Sequence, residues 1–469
     1  MVEQKLSLKE KIGFGFGDAA SSMFWKLFSM YLMFFYTDIF GIPAMVVGTM
    51  FLVTRIWDAA FDPFVGILAD RTETRWGKFR PYLLWMMLPF AIIGVITFST
   101  PSLSITGKII YAYITYSLMM MIYSMINVPY ASLMGVMTSD GKERTALATY
   151  RFIFAFGGSM LVLAMAEPLV GFFSKIGGTV NLQSGWQLAT VVFALLAMLF
   201  FFFTFSWTRE RIKPVTEKTS LKLDLKDMSK NYPWFILLGA GIAAIFFNSI
   251  RDGAAIYYFK YYIFEQSAFS IKSFNLTFTY SSLYFVLGQA ANIVGVLLAK
   301  PVSDKIGKKY TFLVAMLFAA VFSILFYWLD KNSVALIFVF QFLISISAGI
   351  IFPLVWSMYA DTADYSEWKT GRRATGLVFS ASSMSQKFGW TLGGALAGWL
   401  LGYFGFQANM TQSAETLSGI RMMLSFFPAI GTLAGALFMF VYPLSESKME
   451  KISSDLAAMR LAKEKASQS

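Results

Sequence analysis

The sequence predicts an all-α membrane protein with about twelve transmembrane helices in two pseudo-symmetric six-helix bundles. Of its 469 residues, 57% are hydrophobic, 18% are aromatic and only 14% are charged, which is far more apolar than a soluble globular domain. The charged residues also cluster in short intervals between long apolar runs. A run of ~20 apolar residues is long enough to cross a bilayer as a helix.

About twelve runs of the chain reach this length. Short intervals that carry polar or charged residues separate one run from the next. The predicted spans are 12–38, 44–69, 80–100, 107–137, 146–174, 184–208, 233–264, 276–300, 309–329, 333–362, 374–404 and 418–443.

The intervals between the spans alternate in charge. The second interval carries Arg71, Arg75, Lys78 and Arg80, whereas the first, 39–44, contains no base. Intervals four, eight and ten are basic as well. Basic loops stay on the cytoplasmic side of a membrane. We therefore expect a multi-pass protein of the cell inner membrane with both termini in the cytoplasm.

The longest polar interval divides the chain near its middle. It predicts a cytoplasmic central loop at 209–232, between an N-terminal bundle at 1–208 and a C-terminal bundle at 233–443. The remaining residues, 444–469, form a cytoplasmic tail. Its apolar side chains at 452, 456 and 459 have helical spacing, so we expect a short helix there.

The composition excludes several classes of chemistry. Histidine and cysteine are absent, which excludes a Ser-His-Asp triad, a histidine metal site, a disulfide framework and thiolate chemistry. The net charge of +12 lies mainly in loops, where it sets topology rather than indicating nucleic-acid binding. We expect no enzyme activity, no cofactor and a monomer in contact with membrane lipids.

One stretch of the second span carries three charges at membrane depth. Arg55, Asp58 and Asp62 share one helical face, because they stand three and seven residues apart. Each charge would cost about 2.5–3.5 kcal/mol at the centre of a membrane helix. Two carboxylates beside an arginine predict a site for a small cation or a proton, and the alternative is a structural salt bridge.

The two halves share a charged motif at the end of their second spans. In both, an aspartate is followed by a base and then by a glycine flanked by bases. Repeated halves are typical of secondary transporters, so the motif predicts a cytoplasmic gate in which the aspartates cap helix N-termini. The alternative is a generic basic turn. The motif residues are Asp70, Arg71, Arg75, Gly77 and Lys78, and then Asp304, Lys305 and Gly307.

Several further motifs occur in the order found in one known family. The chain resembles the glycoside-pentoside-hexuronide:cation symporters of the major facilitator superfamily, the melibiose permease group, over nearly its whole length. The motifs are Tyr36-Thr37-Asp38, Arg55-Ile56-Trp57-Asp58 with Asp62-Pro63, Arg75-Trp76-Gly77-Lys78-Phe79-Arg80-Pro81, Asn127-Val128-Pro129-Tyr130 and Asp361-Thr362-Ala363-Asp364-Tyr365.

The resemblance implies cation-coupled uptake of a sugar, glycoside or uronide by alternating access. It implies that Asp58 and Asp62 bind the coupling ion, H⁺ or Na⁺, with help from the hydroxyl of Ser124. It also places Lys387 near these aspartates and Arg151 at the sugar.

The chain departs from the melibiose permease pattern at the predicted sites. Ser22 and Asn127 stand where that group has sugar-binding aspartates, and Ala131 replaces a stacking tryptophan. Phe61 replaces an asparagine beside the second cation aspartate. The first three changes argue against an α-galactoside, and the last argues against sodium.

The first span offers a candidate sugar site. Asp18, Ser22 and Trp25 lie on one helical face, with Lys26 one turn beyond Ser22. An aromatic ring beside hydroxyl and charged groups suits a sugar. The alternative is helix packing, assisted by the glycines at 13, 15 and 17, with an Asp18–Lys26 ion pair. The Gly-x-Gly-Asp run at 15–18 also matches intramembrane aspartyl proteases, but the second aspartate motif is absent.

The seventh span adds Arg251 and Asp252 to the candidate sugar site. Together with Lys26, Arg151 and Lys387, Arg251 makes the interior rich in bases. Spare arginines suit an anionic sugar, because guanidinium groups bind carboxylates through two hydrogen bonds. The alternative is that the bases pair internally and the sugar is neutral. A lipid or lysolipid carrier and a non-transporting sugar receptor are the other functions that remain open.

Overall fold

The computed structural model describes residues 5–138, 141–176, 178–212, 228–264, 266–271, 273, 276–371 and 375–468. Among these residues, ten helices are long and apolar enough to cross a membrane. The helices lie where the sequence predicts them. They are α1 Leu8–Leu27, α2 Ala44–Arg71, α3 Arg80–Thr97, α4 Ile105–Met137, α5 Gly141–Phe173, α6 Leu182–Trp207, α7 Tyr232–Tyr257, α8 Tyr280–Ile306, α9 Lys308–Phe326, α10 Val334–Thr370, α11 Thr375–Tyr403, α12 Ala414–Leu424, α13 Phe426–Val441 and α14 Glu446–Gln468.

Three of these helices have irregular ends or breaks. α1 continues through π-helical turns at Phe28–Leu32 and Phe35–Ile39, and α7 continues through one at Tyr258–Ile263. The twelfth predicted span consists of α12 and α13, which are interrupted at Ser425. A break inside a membrane helix leaves backbone carbonyls that need another partner.

A small hairpin precedes α8, and the sequence reasoning did not predict it. β1 Ser267–Ile271 pairs antiparallel with β2 Leu276–Thr279, and the rings of Phe269 and Phe278 stack 4.6 Å apart. The eighth span therefore begins at residue 280 and not at 276. The β-branched and aromatic residues of β2 favour a strand, which an apolarity pattern alone does not separate from a helix.

The chain divides into two compact units by its internal contacts. The first comprises residues 1–216, 252–289 and 394–420, and the second comprises 217–251, 290–393 and 421–469. The predicted bundles at 1–208 and 233–443 remain a prediction. Of the predicted central loop at 209–232, residues 213–227 lie outside the described part.

Glycines of α1 let the helices of the first unit approach closely. A Cβ added to Gly13 would lie 2.6 Å from Cβ of Trp207, and one added to Gly15 would lie 2.6 Å from the ring of Phe154. A Cβ added to Gly17 would overlap the ring of Tyr130. Helix approach through small residues is common in membrane proteins, so these glycines position the polar face of α1 against α4, α5 and α6.

The tail helix packs on the core of the second unit. Ile452 and Leu456 of α14 are buried, as their helical spacing predicts. The indole Nε1 of Trp368 on α10 donates to Asp455 across 3.0 Å. The third predicted position, Met459, is exposed.

Candidate cation and sugar site

Two carboxylates of α2 meet one hydroxyl of α4. The Oγ of Ser124 lies 2.8 Å from Oδ1 of Asp58 and 2.6 Å from Oδ1 of Asp62. Asp58 and Ser124 are both 2% exposed. The packing of α2 against α4 thus gathers the three residues that the sequence predicts for the cation. A hydroxyl has one hydrogen to donate, so Ser124 alone satisfies only one of the two carboxylates as a donor.

The third charge of α2 links this site to α1. Nη1 of Arg55 lies 3.6 Å from Oδ2 of Asp58, and the guanidinium lies 4.5 Å from the ring centre of Trp25. The ring of Trp25 also contacts Tyr123, with centroids 5.9 Å apart. Arg55 therefore lies between Trp25, the ring predicted to bind the sugar, and Asp58, one of the carboxylates predicted to bind the cation.

A second ion pair lies on the other side of the polar face of α1. Nε of Arg151 donates to Oδ2 of Asp18 across 2.9 Å. The guanidinium of Arg151 lies 5.5 Å from the ring centre of Tyr130, whose hydroxyl donates to the carbonyl of Phe14 across 2.7 Å. Asp18 therefore pairs with Arg151, a base of α5. An aspartyl protease would instead require a second carboxylate facing Asp18.

The remaining predicted residues of the first unit lie around these groups. Nζ of Lys26 lies 3.4 Å from Oδ2 of Asp252 on α7, whereas Asp18 pairs with Arg151. Asn127 lies one turn after Ser124, and its Nδ2 donates to the carbonyl of Tyr123. Ser22 is half-buried on α1 between Asp18 and Lys26.

Two predicted residues belong to the second unit. Arg251 is buried and donates to the carbonyl of Leu424 and, across 2.8 Å, to Oε1 of Gln341. It therefore caps the carbonyl end of α12 at the break before α13, where a cation is favourable. Lys387 is half-buried on α11. Its predicted role at the cation site, and the sugar contact predicted for Arg251, remain predictions.

Glu210 contacts the charged motif of the first half, although the sequence did not predict this contact. The carboxylate of Glu210 accepts hydrogen bonds from the backbone N–H groups of Lys78, Phe79 and Arg80, at 2.8, 2.8 and 2.9 Å. These groups form the N-terminus of α3, which attracts negative charge. Gly77 has φ of 110° and leaves room for this carboxylate.

The other motif residues of the first half have separate positions. The guanidinium of Arg75 lies 4.6 Å from the ring centre of Trp76, and Arg71 is exposed. The side chain of Asp70 lies outside the described part of the structure. Glu210, and not an aspartate of α2, is thus the cap that the structure describes at α3.

The second half repeats this arrangement in weaker form. Gly307 has φ of 80°, and the N–H of Lys308 lies 3.5 Å from Oε2 of Glu446 at the start of α9. Glu446 follows the last span of its half, as Glu210 follows α6, and this shared position is the signal that could have identified both. Asp304 instead forms an exposed pair with Lys300, and Lys305 is exposed.

Two further carboxylates were not singled out from the sequence as site residues. Asp38 on the last π-helical turn of α1 pairs with Lys260 across 2.6 Å. Glu167 on α5 accepts hydrogen bonds from the hydroxyls of Tyr31, Thr279 and Ser281. Both carboxylates stand out in the sequence as acids within apolar spans. Their partners lie more than 100 residues away in the chain, so local spacing does not identify them.

A sequence model of one family matches most of the chain. The family is described as MFS/sugar transport protein, and the match covers residues 13–446. The chain belongs to this family. The membership confirms the resemblance and the all-α transporter fold that the sequence predicts.

Curated relatives of the MFS/sugar transport family cover nearly the whole chain. The inner membrane symporter YicJ of Escherichia coli K12 is 39% identical over 97% of this chain and 96% of its own length. The isoprimeverose transporter of Lactiplantibacillus pentosus is 36% identical over 96% of this chain and 90% of its own length. The glucuronide carrier protein homolog of Escherichia coli K12 is 31% identical over 96% of both.

Solved structures with low sequence identity share the fold. The nucleoside transporter NupG covers 92% of this chain with a TM-score of 0.60 at 15% identity. A bacterial homologue of the human lysosomal transporter Spinster covers 95% with a TM-score of 0.66 at 12% identity. These similarities support the major facilitator fold, and membership of the MFS/sugar transport family makes the chain a multi-pass membrane transporter.

Proposed function

We propose that the chain is an inner-membrane symporter that couples the entry of a neutral sugar or glycoside to the entry of H⁺. One observation supports the location of the coupling site: the hydroxyl of Ser124 lies within hydrogen-bond distance of both Asp58 and Asp62. Two carboxylates this close repel each other when both are ionised. A bound proton or cation removes that cost.

Protons are the proposed coupling ion because Asp58 and Asp62 both lie against the hydroxyl of Ser124. A proton bound to one of the two carboxylates removes the repulsion between them. Phe61 stands beside Asp62 and supplies no oxygen for a metal ion, in line with the argument against sodium. Na⁺ is the other outcome that the uptake assay distinguishes.

A neutral sugar is favoured because the bases of the sugar site are already paired. Arg151 binds Asp18 and Lys26 lies against Asp252, so these two pairs add no net charge. Arg251 is buried against protein acceptors. Trp25 offers a ring face for sugar stacking, and Asn127 offers an amide for hydroxyl groups. One of the relatives is named an isoprimeverose transporter, which supports a neutral glycoside.

Arg55 is the proposed link between the ion and the sugar. It contacts both the carboxylate of Asp58 and the ring of Trp25. A proton on the Asp58–Asp62 pair weakens the hold of Asp58 on Arg55 and so changes the environment of Trp25. Linkage requires that the sugar in turn raises the affinity for the ion by the same factor.

The orientation follows from the distribution of basic residues. Both termini, the Glu210 motif and the Glu446 motif face the cytoplasm in this proposal, because their loops carry the bases. The C-terminal end of α1 then faces the outside. The protein works as a monomer that alternates between an outward-facing and an inward-facing state.

The test is uptake into proteoliposomes with imposed gradients. We expect a xylose-containing neutral disaccharide to accumulate under a proton gradient, and to equilibrate without accumulation when Asp62 is changed to Asn. Asp330→Asn, at an exposed turn outside every predicted site, is the matched control and should accumulate sugar like the wild type. Accumulation driven only by Na⁺ would show that the coupling ion is Na⁺ and not H⁺. Preference for a glucuronide over its neutral analogue would show that the substrate is anionic. Transport of a lysolipid alone would contradict a sugar substrate.

A further inference from the structure

The Tyr36-Thr37-Asp38 motif has no role in the proposed coupling or sugar sites. The side chain of Asp38 is 0% exposed, although it is charged and lies at the end of α1. Its carboxylate accepts hydrogen bonds from Nζ of Lys260 at 2.6 Å, from the hydroxyl of Thr37 at 2.6 Å and from the hydroxyl of Tyr261. A buried carboxylate requires such partners.

A third segment of the chain completes the cluster. Asn409, between α11 and α12, donates from Nδ2 to the backbone carbonyl of Asp38 across 2.6 Å. Its Oδ1 accepts from Nζ of Lys260 across 2.7 Å, and its backbone N–H donates to the hydroxyl of Tyr261 across 2.8 Å. Asn409 has φ of 59°, a left-handed conformation that asparagine tolerates better than most residues.

The local backbone is arranged to bring these groups together. Both Asp38 and Lys260 stand on π-helical turns, which often mark functional sites. The π-turns of α7 end at Phe264, which also has a left-handed φ of 58°. One turn before Lys260, the hydroxyl of Tyr257 lies 2.8 Å from Oγ1 of Thr37.

Aromatic rings cover the cluster on one side, while Lys260 is 30% exposed and Asn409 is exposed. Nζ of Lys260 lies 4.8 Å from the ring centre of Phe34. Phe406 packs edge-on against Tyr257 and Tyr261, with centroids 5.2 Å apart in both cases. Because the carboxylate of Asp38 is fully buried, loss of Lys260 leaves that charge uncompensated, which is strongly unfavourable.

The cluster joins segments that are far apart in the chain. Asp38 belongs to the first of the six N-terminal spans, whereas Lys260 and Asn409 follow the central interval. Alternating access requires such joints to open and close at each end of the transport path. Asp38, Lys260 and Asn409 are absent from the proposed coupling and sugar sites, so their contacts are available to hold one conformation.

We propose that Asp38, Thr37, Lys260, Tyr261 and Asn409 form an extracellular latch that holds the outer end of the transporter closed and separates when the sugar enters from outside. The inference rests on the proposed orientation, which places the end of α1 outside. Opening hydrates the Asp38 carboxylate and the Lys260 ammonium, so water replaces the partners that each charge loses. Such exchange lowers the free-energy cost of opening.

The experiment uses the absence of native cysteine in this chain. Ala254 is 0% exposed and lies one turn before Tyr257 on α7, so Ala254→Cys provides a buried thiol beneath the latch. A membrane-impermeant maleimide, added to intact cells without sugar, measures how often the outer end opens. We expect slow labelling of the Ala254→Cys protein.

Asp38→Asn or Lys260→Met should raise the labelling rate at least about tenfold, because each breaks a buried ion pair. Using both variants guards against a folding defect of one. The charge exchange Asp38→Lys with Lys260→Asp should restore slow labelling. The matched control is Glu143→Gln, which breaks the Lys11–Glu143 pair (2.9 Å) near the N-terminal end of α1 and should leave labelling unchanged.

An unchanged labelling rate in both single variants would contradict the latch. An equal increase in the labelling rate in Glu143→Gln would also contradict it, because the increase would then reflect a general destabilisation of the helix packing. Labelling requires neither sugar nor an ion gradient, so a failed uptake assay leaves this result intact. Slow labelling in the single variants together with normal sugar uptake would leave the proposed function in place and remove only the latch.

Discussion

Arg151 and Asp18 join α5 to α1 by an ion pair of 2.9 Å beside the candidate sugar site. The side chain of Arg151 is 32% exposed and that of Asp18 is 12% exposed. The guanidinium is therefore partly accessible while its partner carboxylate stays largely covered. This arrangement decides how much positive charge a sugar meets at this site.

Asp18→Asn should shift the selectivity toward anionic sugars. The change frees the guanidinium of Arg151 to bind a carboxylate. We expect transport of a glucuronide to rise relative to its neutral analogue, by roughly tenfold in kcat/KM if one charge-assisted hydrogen bond is gained. Competition between the two sugars in counterflow measures this ratio.

The double variant Asp18→Asn with Arg151→Gln provides the control for that shift. It should return the ratio to the wild-type value, because neither charge remains. The pair is in direct contact, so the two single effects should not add. A ratio that stays at the wild-type value in Asp18→Asn contradicts a sugar contact for Arg151.

Ser124→Ala should weaken binding of the coupling ion. The change removes a hydroxyl that contacts both Asp58 and Asp62. Hydrogen bonds to charged groups are worth ~1.5–3 kcal/mol, which corresponds to roughly a 10–100-fold loss of apparent ion affinity. The concentration of H⁺ or Na⁺ that half-activates uptake measures the effect. Ser132→Ala, at an exposed position on the same helix, should leave this concentration unchanged.

Gly17→Ala should destabilise the first unit. The added methyl group overlaps the buried ring of Tyr130, whose hydroxyl donates to the carbonyl of Phe14. Overpacking of this kind costs about 1–3 kcal/mol, so the thermal midpoint of the purified protein should fall. Gly157→Ala on α5 is the matched control, because nothing lies within 4 Å of its added Cβ. Equal midpoints for the two variants would contradict the close contact of α1 with α4.

Glu210→Ala should destabilise the loop between α2 and α3. Three backbone N–H groups lose their shared acceptor, and a buried donor without a partner costs about 1–3 kcal/mol. We expect a lower thermal midpoint and faster proteolysis near residue 77. Asp304→Ala, in an exposed pair, should change neither. Retention of the wild-type midpoint in Glu210→Ala would show that water replaces the carboxylate at no cost.

Arg251→Met tests whether Arg251 acts on the sugar or on the helix break. Its described partners are the carbonyl of Leu424 and the amide of Gln341. We expect reduced thermal stability with an unchanged ratio of neutral to anionic sugar transport. A changed ratio at unchanged stability would instead assign Arg251 to the sugar, as the sequence predicted.

The sequence predicted the grouping of Asp58, Asp62 and Ser124 better than the ion pairs around α1. Asp58 and Asp62 are one turn apart on one helix, so helical geometry places them together, and the resemblance supplied Ser124. The pairs Asp18–Arg151 and Lys26–Asp252 join residues more than 100 positions apart. Local spacing does not determine such pairs.

The amino-acid sequence by itself determined the class of the protein, the positions of its helices and the placement of Asp58 and Asp62 on one face of α2. These features depend on local properties: the length of apolar runs, the spacing of residues on one helix and the charge of short loops. Tertiary structure decided which acid pairs with which base. It also revealed Glu210 at α3, Asp38 with Lys260, and the hairpin before α8. Those choices depend on contacts between distant segments, whose energies no local pattern contains.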